Sequence, residues 1–240
     1  MKSFYNYIKH AIRYALSDWR PLLVLGVIAF ILSVNRKYTA TNFTVWEIIN
    51  VLMLIFVGYG SYVAWYAING RDDHPEFKDI RLMVWEGFKK SCILFVYTAV
   101  LTFFIHHANS FYVAGNVLLA AICYIIFIGT YLILVGGLIN RYLHEGSVLE
   151  AFNIPGIIAM FSAFDANTFV RVVISAALSH LCGLSALLDF EPNFTQFELL
   201  FSIALFFLAP FLLIATKRLV GMHVHDLLEK NELDIKKKIR

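Results

Sequence analysis

Charge is scarce in this sequence: Asp, Glu, Lys and Arg make up only 15% of its 240 residues, where a soluble domain carries about a quarter. So few charges cannot cover a chain of this length with a water-facing surface, which excludes an ordinary soluble globule. Cysteine is nearly absent. Cys92, Cys123 and Cys182 all lie in apolar stretches. They are odd in number and match no zinc or redox spacing, so they read as small buried apolar residues. Catalytic signatures are missing as well. There is no HExxH, no phosphate loop and no dinucleotide fingerprint, and Gly58-Tyr59-Gly60-Ser61-Tyr62 has its serine one place too late for G-x-S-x-G. No cofactor, no metal site and no nucleic-acid partner is expected. A cleavable signal peptide is not expected either, because no small-residue cleavage site follows the first apolar run near Trp19.

What the sequence has in quantity is apolar length. It is 60% hydrophobic and 16% aromatic, with a mean hydropathy of +0.70. A hydrocarbon layer of ~30 Å needs roughly 20 helical residues, and six candidate helices emerge: Trp19–Val34, which is short and borrows length from the turn before it, Val45–Ile68, Ser91–Ile105, Val113–Ile139, Thr168–Leu188 and Phe194–Thr216. The runs are continuous rather than alternating, so they are helices and not barrel strands. Eighteen of the twenty basic residues then fall on one side, and only Arg36 and Lys37 on the other. Lys and Arg resist translocation, which makes the crowded side cytoplasmic and places both termini there.

Each pair of spans is preceded by a segment of helical period. Phe4, Ile8, Ile12 and Ala15 form the first apolar stripe, and Phe77, Ile80, Val84 and Phe88 the second. Ile157, Ile158, Phe161 and Phe164, following Pro155, form the third. Such segments fit amphipathic helices in the cytoplasmic interface, with cations toward anionic headgroups, and equally fit juxtamembrane helices packed on the bundle. The expected architecture is all-α: a polytopic membrane protein of six transmembrane helices in three hairpins, each led by an interfacial helix. It forms one membrane domain over 1–218 with repeat units 1–70, 71–146 and 147–218, followed by a basic cytoplasmic tail over 219–240. The span ends Ala67-Ile68-Asn69-Gly70-Arg71 and Leu138-Ile139-Asn140-Arg141 echo one another. Internal duplication and convergent membrane patterning both account for them.

Three stretches are more specific than composition. Ser17-Asp18-Trp19-Arg20-Pro21-Leu22-Leu23-Val24-Leu25-Gly26 opens the first span and Gly58-Tyr59 lies within the second. Gly70-Arg71-Asp72-Asp73-His74-Pro75-Glu76-Phe77-Lys78-Asp79 then leads through Trp85-Glu86-Gly87-Phe88-Lys89 into the third. They resemble a family of uncharacterised prokaryotic membrane proteins, abundant in methanogenic archaea and catalogued as a domain of unknown function. The resemblance covers about the first 100 residues; His74 stands where that family usually has an apolar residue before the proline. It implies a membrane fold in the cell membrane and brings no reaction, substrate or catalytic residue.

The residues with chemical capacity are few. His180 lies within the fifth span, with Asn50 in the second and Asn116 in the fourth; an intramembrane polar group needs an internal partner or water. These three could line a polar site or serve as interhelical hydrogen bonds, since Ser175, Ser179 and Gly183 put a close-packing face beside His180. Gly60 with Ala64, and Gly129 with Gly136 and Gly137, read as packing points. Asp72-Asp73-His74-Pro75-Glu76 reads as a helix cap, with Asp73 or His74 capping and Pro75 in the first position. His106-His107 and His223-Val224-His225-Asp226 lack the ligand count of a zinc site. The sequons at Asn42 and Asn193 fall in expected outer turns, where glycosylation requires them. The tail's Lys237-Lys238-Ile239-Arg240 reads as a polybasic anchor on anionic lipid. Three functions remain open: a non-catalytic scaffold or accessory subunit with lipids and a membrane protein as partners; a small transporter or channel with a cavity near His180; and a lipid enzyme, in which Asp72–Glu76 and a histidine would converge.

Overall fold

A computed structural model describes residues 4–35, 43–144, 146–162, 164–185 and 196–230. Among the described residues every regular element is helical and none is a strand. The helices are α1 (Phe4–Ser17), α2 (Trp19–Asn35), α3 (Phe43–Ile68), α4 (Ile80–Val113), α5 (Val117–Leu143), α6 (Ile154–Ser162), α7 (Ala166–Ser185) and α8 (Gln196–Lys230), with 3-10 turns at Phe77–Asp79 and Leu149–Phe152. Glu47–Ile68, Phe77–Val113 and Val117–Leu143 are long and apolar enough to cross a membrane. Phe4–Ser17 and Trp19–Leu32, bent by 81° against each other, would add a fourth if read as one span.

Helix boundaries follow from side chains that satisfy the orphan N–H groups of a first turn. Asp18 accepts from the Arg20 amide at 3.0 Å and starts α2. Asn153 accepts from the Gly156 amide at 3.1 Å and starts α6. Asp165 takes both the amide and the hydroxyl of Thr168 at 2.9 Å and starts α7. At the other end of α3, the Gly70 amide donates to Ala67 and the Arg71 amide to Tyr66. This Schellman closure requires the positive φ of +69° found at Gly70. Gly115, at φ +78°, closes α4 in the same way.

The chain forms two compact units, one from residues 1–88 and 170–230 and the other from 89–169. In the first, α8 is the spine. Its Ala209, Leu213 and Ile214 share a core with Leu25, Ile28, Ala29 and Leu32 of α2 and with Phe56, Tyr59 and Val63 of α3. Small residues bring the backbones together. A Cβ on Gly58 would lie 2.0 Å from the Met83 carbonyl oxygen, and one on Gly87 would lie 2.0 Å from that of Leu54. These two glycines are therefore the crossing point of α3 and α4. In the second unit, Ile93 and Tyr97 of α4 pack with Leu134 and Leu138 of α5 and with Ala151, while Gly136 and Gly137 let Ile157, Phe161 and Ala151 approach α5.

Four expectations change. The second interfacial segment and the third span are not separate: Ile80–Val113 is one helix, because no proline interrupts it and its only glycine is the one at the α3 crossing. The tail expected over 219–240 begins inside α8, which continues to Lys230 with Leu219, Val220 and Val224 buried. Among the described residues, Gly129 has nothing within 4 Å of a built Cβ and packs against no other helix. On α1 the buried face is Tyr7, Ala11, Tyr14 and Ala15, whereas Tyr5, Ile12 and Leu16 face outward.

Candidate functional site

A polar cluster of the first unit joins α1, the loop over 69–76 and the last third of α8. Arg218 is its centre, with a side chain only 3% exposed. Its guanidinium donates to the Arg71 carbonyl and pairs with the Asp72 carboxylate, and it lies 4.4 Å from the Tyr14 ring centroid. A buried guanidinium needs such partners, because an uncompensated charge away from water is costly. Tyr14 reaches from α1 to donate to the Asp73 carbonyl at 3.0 Å. His74 stacks on the Tyr14 ring at 4.0 Å. Its Nε2 sits 2.9 Å from both the Tyr14 carbonyl oxygen and Ser17 Oγ. Arg71 turns back to hold Asp73 at 2.6 Å and covers the Tyr66 ring.

None of this is capping. Glu76 precedes the 3-10 turn in an extended conformation without a side-chain cap, and Asp72, Asp73 and His74 all tie the loop to other groups. The Asp72–Glu76 cluster expected as a cap is instead a tether. Arg71 beside Asp73 holds that carboxyl below its usual range, and burial lowers the His74 imidazole.

Eight residues further along α8, Tyr7 donates to Asp226, and His223 lies against the rings of Phe4 at 5.8 Å and Tyr7 at 4.4 Å. Arg171 covers the other ring partner, Phe4, at 5.6 Å. His223 is buried, its Nε2 has no hydrogen-bond partner among the described residues, and burial pushes its pKa down to about 4. His225 goes elsewhere: its Nδ1 lies 2.9 Å from the Ile68 carbonyl oxygen and its Nε2 3.3 Å from Glu229.

The second unit has a polar cluster of its own around Glu150. Asn140 donates to its backbone oxygen at 2.9 Å and to its carboxylate at 3.3 Å, and Asn153 donates to the same carboxylate at 2.9 Å. Arg141, fully buried, donates from Nε to the Gly146 carbonyl at 3.0 Å. Tyr97 donates to the Ala151 carbonyl at 2.8 Å.

The residues singled out from the sequence are not drawn into one site by any described contact. Asn50 is half-buried on α3. Asn116 lies in the turn immediately before α5 and is exposed, without a side-chain capping bond. His180 lies on α7, but its side chain, like Asn42 and Asn193, is outside the described residues. Ser175 on the same helix is fully buried, as a close-packing face demands. His107 bonds back to the Phe103 carbonyl one turn earlier. Among the described residues, no three His, Cys, Asp or Glu side chains are placed to hold a metal ion. The α1–α8 clamp was the feature sequence reading missed. Its one local signal is tyrosine at positions 7 and 14, two turns apart on one helix face.

Residues 43–190 match the family described as "Protein of unknown function (DUF4013)", which carries the likeness well beyond the first 100 residues. No curated protein and no solved structure matches the chain.

Proposed function

The chain belongs to that family of unknown function, and from that premise we propose that it is a non-catalytic scaffold or accessory subunit of the cell membrane. It crosses the bilayer six times as three hairpins with both termini in the cytoplasm. Among the described residues, three or four helices have the length and apolar character for spanning, and α8, at about 1.5 Å per residue, is about 50 Å long. The segregation of eighteen basic residues to one side supports the orientation.

The observation that carries the scaffold reading is where the ionisable side chains go. Those of the 71–74 stretch are spent on partners within the fold: Arg71 and Asp73 on each other inside the loop, Asp72 on Arg218 of α8, and His74 on Tyr14 of α1. A site for catalysis presents such groups to a substrate instead. The outward stripe of α1, Tyr5, Ile12 and Leu16, runs beside Lys9 and Arg13. That arrangement suits apolar contact with acyl chains and cationic contact with anionic headgroups.

Native purification followed by mass spectrometry tests the assignment. A stoichiometric membrane protein partner, or retained anionic lipid that is lost on K9E/R13E substitution, is the expected result. Solute flux in proteoliposomes that disappears in H180A would overturn it in favour of a transporter.

A further inference from the structure

The N-terminal helix is held by two histidines in matching circumstances. Each lies against an α1 tyrosine: His74 on Tyr14 at 4.0 Å and His223 on Tyr7 at 4.4 Å. Each has a buried ring nitrogen with no hydrogen-bond partner among the described residues, Nδ1 of His74 and Nε2 of His223. At His74 the bonded nitrogen is Nε2, between the Tyr14 carbonyl and Ser17 Oγ. An N–H there leaves Nδ1 as a bare lone pair, so the neutral ring fits and the imidazolium does not. We propose that α1 is an acid-opened clamp: protonation of His74 and His223 releases it from α8 and from the 71–76 loop. The inference concerns the contacts of α1 and stands apart from the scaffold role.

The surrounding charges bear on both rings. His74 faces Arg218 from α8, which opposes a second positive charge, and Asp18 and Asp73, which favour it; burial outweighs the carboxylates. His223 faces Arg171 from α7, which opposes protonation, and Asp226 on its own helix, which favours it; again burial prevails. A protonated His74 places an N–H without an acceptor beside the ring that Arg218 also contacts. A protonated His223 does the same between Phe4 and Tyr7. His10 of α1 is exposed and lies 3.9 Å from the Asp72 carboxylate.

The direction is fixed by linkage. A base depressed in the docked state takes its proton more readily when α1 is free, so docking is complete above about 6.5 and weakens as the pH falls. For His223, between 6.5 and about 4, the docking equilibrium falls by up to about 300-fold below both values. His74 adds to this in the same direction.

Spin labels on N6C and E229C, in full-length chain with Cys92, Cys123 and Cys182 replaced by alanine and held in phosphatidylcholine nanodiscs, report the α1–α8 distance. A single short distance is expected at pH 7.5, with a longer population growing between pH 6.5 and 4. H74F/H223F keeps the rings and removes the protons, and should retain the short distance to pH 4.5. H223Q serves if that pair does not fold, and should flatten most of the profile. An unchanged wild-type distance at pH 4 overturns the inference. So does an unaltered pH profile in the histidine variants.

Discussion

The loop after α3 and the loop around the end of α5 start from nearly the same residues, Ile68-Asn69-Gly70-Arg71 and Ile139-Asn140-Arg141, and each leads into a 3-10 turn. Their anchoring differs. The second is stapled largely to itself: Asn140, Glu150 and Asn153 are at most thirteen residues apart, and Arg141 closes on Gly146. The first is held from outside, by Arg218 from 146 residues away and by Tyr14 from 59. A local staple costs little chain entropy to close and forms early, whereas a remote clamp gives its loop no hold until distant helices have packed. The same span-end pattern thus serves one loop as a self-contained turn and the other as a docking point.

Substitutions can separate the two modes. Arg218→Met should have the largest effect, about 3 kcal/mol of stability, because it leaves the Arg71 carbonyl without its donor and empties the centre of the cluster. It should lower the thermal midpoint in detergent and also raise proteolysis within residues 71–76. Glu150→Ala should cost about 2 kcal/mol, since the Asn153 amide loses its acceptor and Asn140 keeps only the backbone oxygen. Its signature is an unchanged cleavage rate at 71–76; accelerated cleavage there would break the distinction between local and remote anchoring. Asp72→Asn should cost less than about 1 kcal/mol, because that carboxylate is 75% exposed and water replaces much of the interaction. A loss as large as that of Arg218→Met would mean that the ion pair, and not the bond to Arg71 or the contact with Tyr14, holds the loop.

Hydropathy made the long helices legible. The expected Trp19–Val34, Val45–Ile68 and Val113–Ile139 stand close to α2, α3 and α5. Elsewhere a change of polarity was mistaken for a change of structure. At Phe88-Lys89-Lys90 and again at Lys217-Arg218 the apolar run is interrupted but the helix is not, since lysine and arginine are good helix formers and nothing there breaks the ladder. The tether was hidden for another reason. Asp72, Asp73 and His74 before Pro75 satisfy every local rule for a helix start, and a single sequence carries no sign that Tyr14 and Arg218 will claim them. The roles expected for His180, Asn50 and Asn116 had equally little to rest on, a polar residue type at membrane depth in each case.

Because α1 closes on Asp226, 219 residues after Tyr7, it is synthesised well before the part of α8 that seats it. At about 5–20 residues per second, that interval is on the order of 10–40 s. Throughout it the Tyr7–Ala11–Tyr14–Ala15 face is without α8 and needs a substitute, which the membrane surface or an insertion factor can supply. Shortening the chain by removing what looks like a polar tail would therefore not trim an appendage. It would leave Tyr7 of α1 permanently without the His223 and Asp226 that seat it.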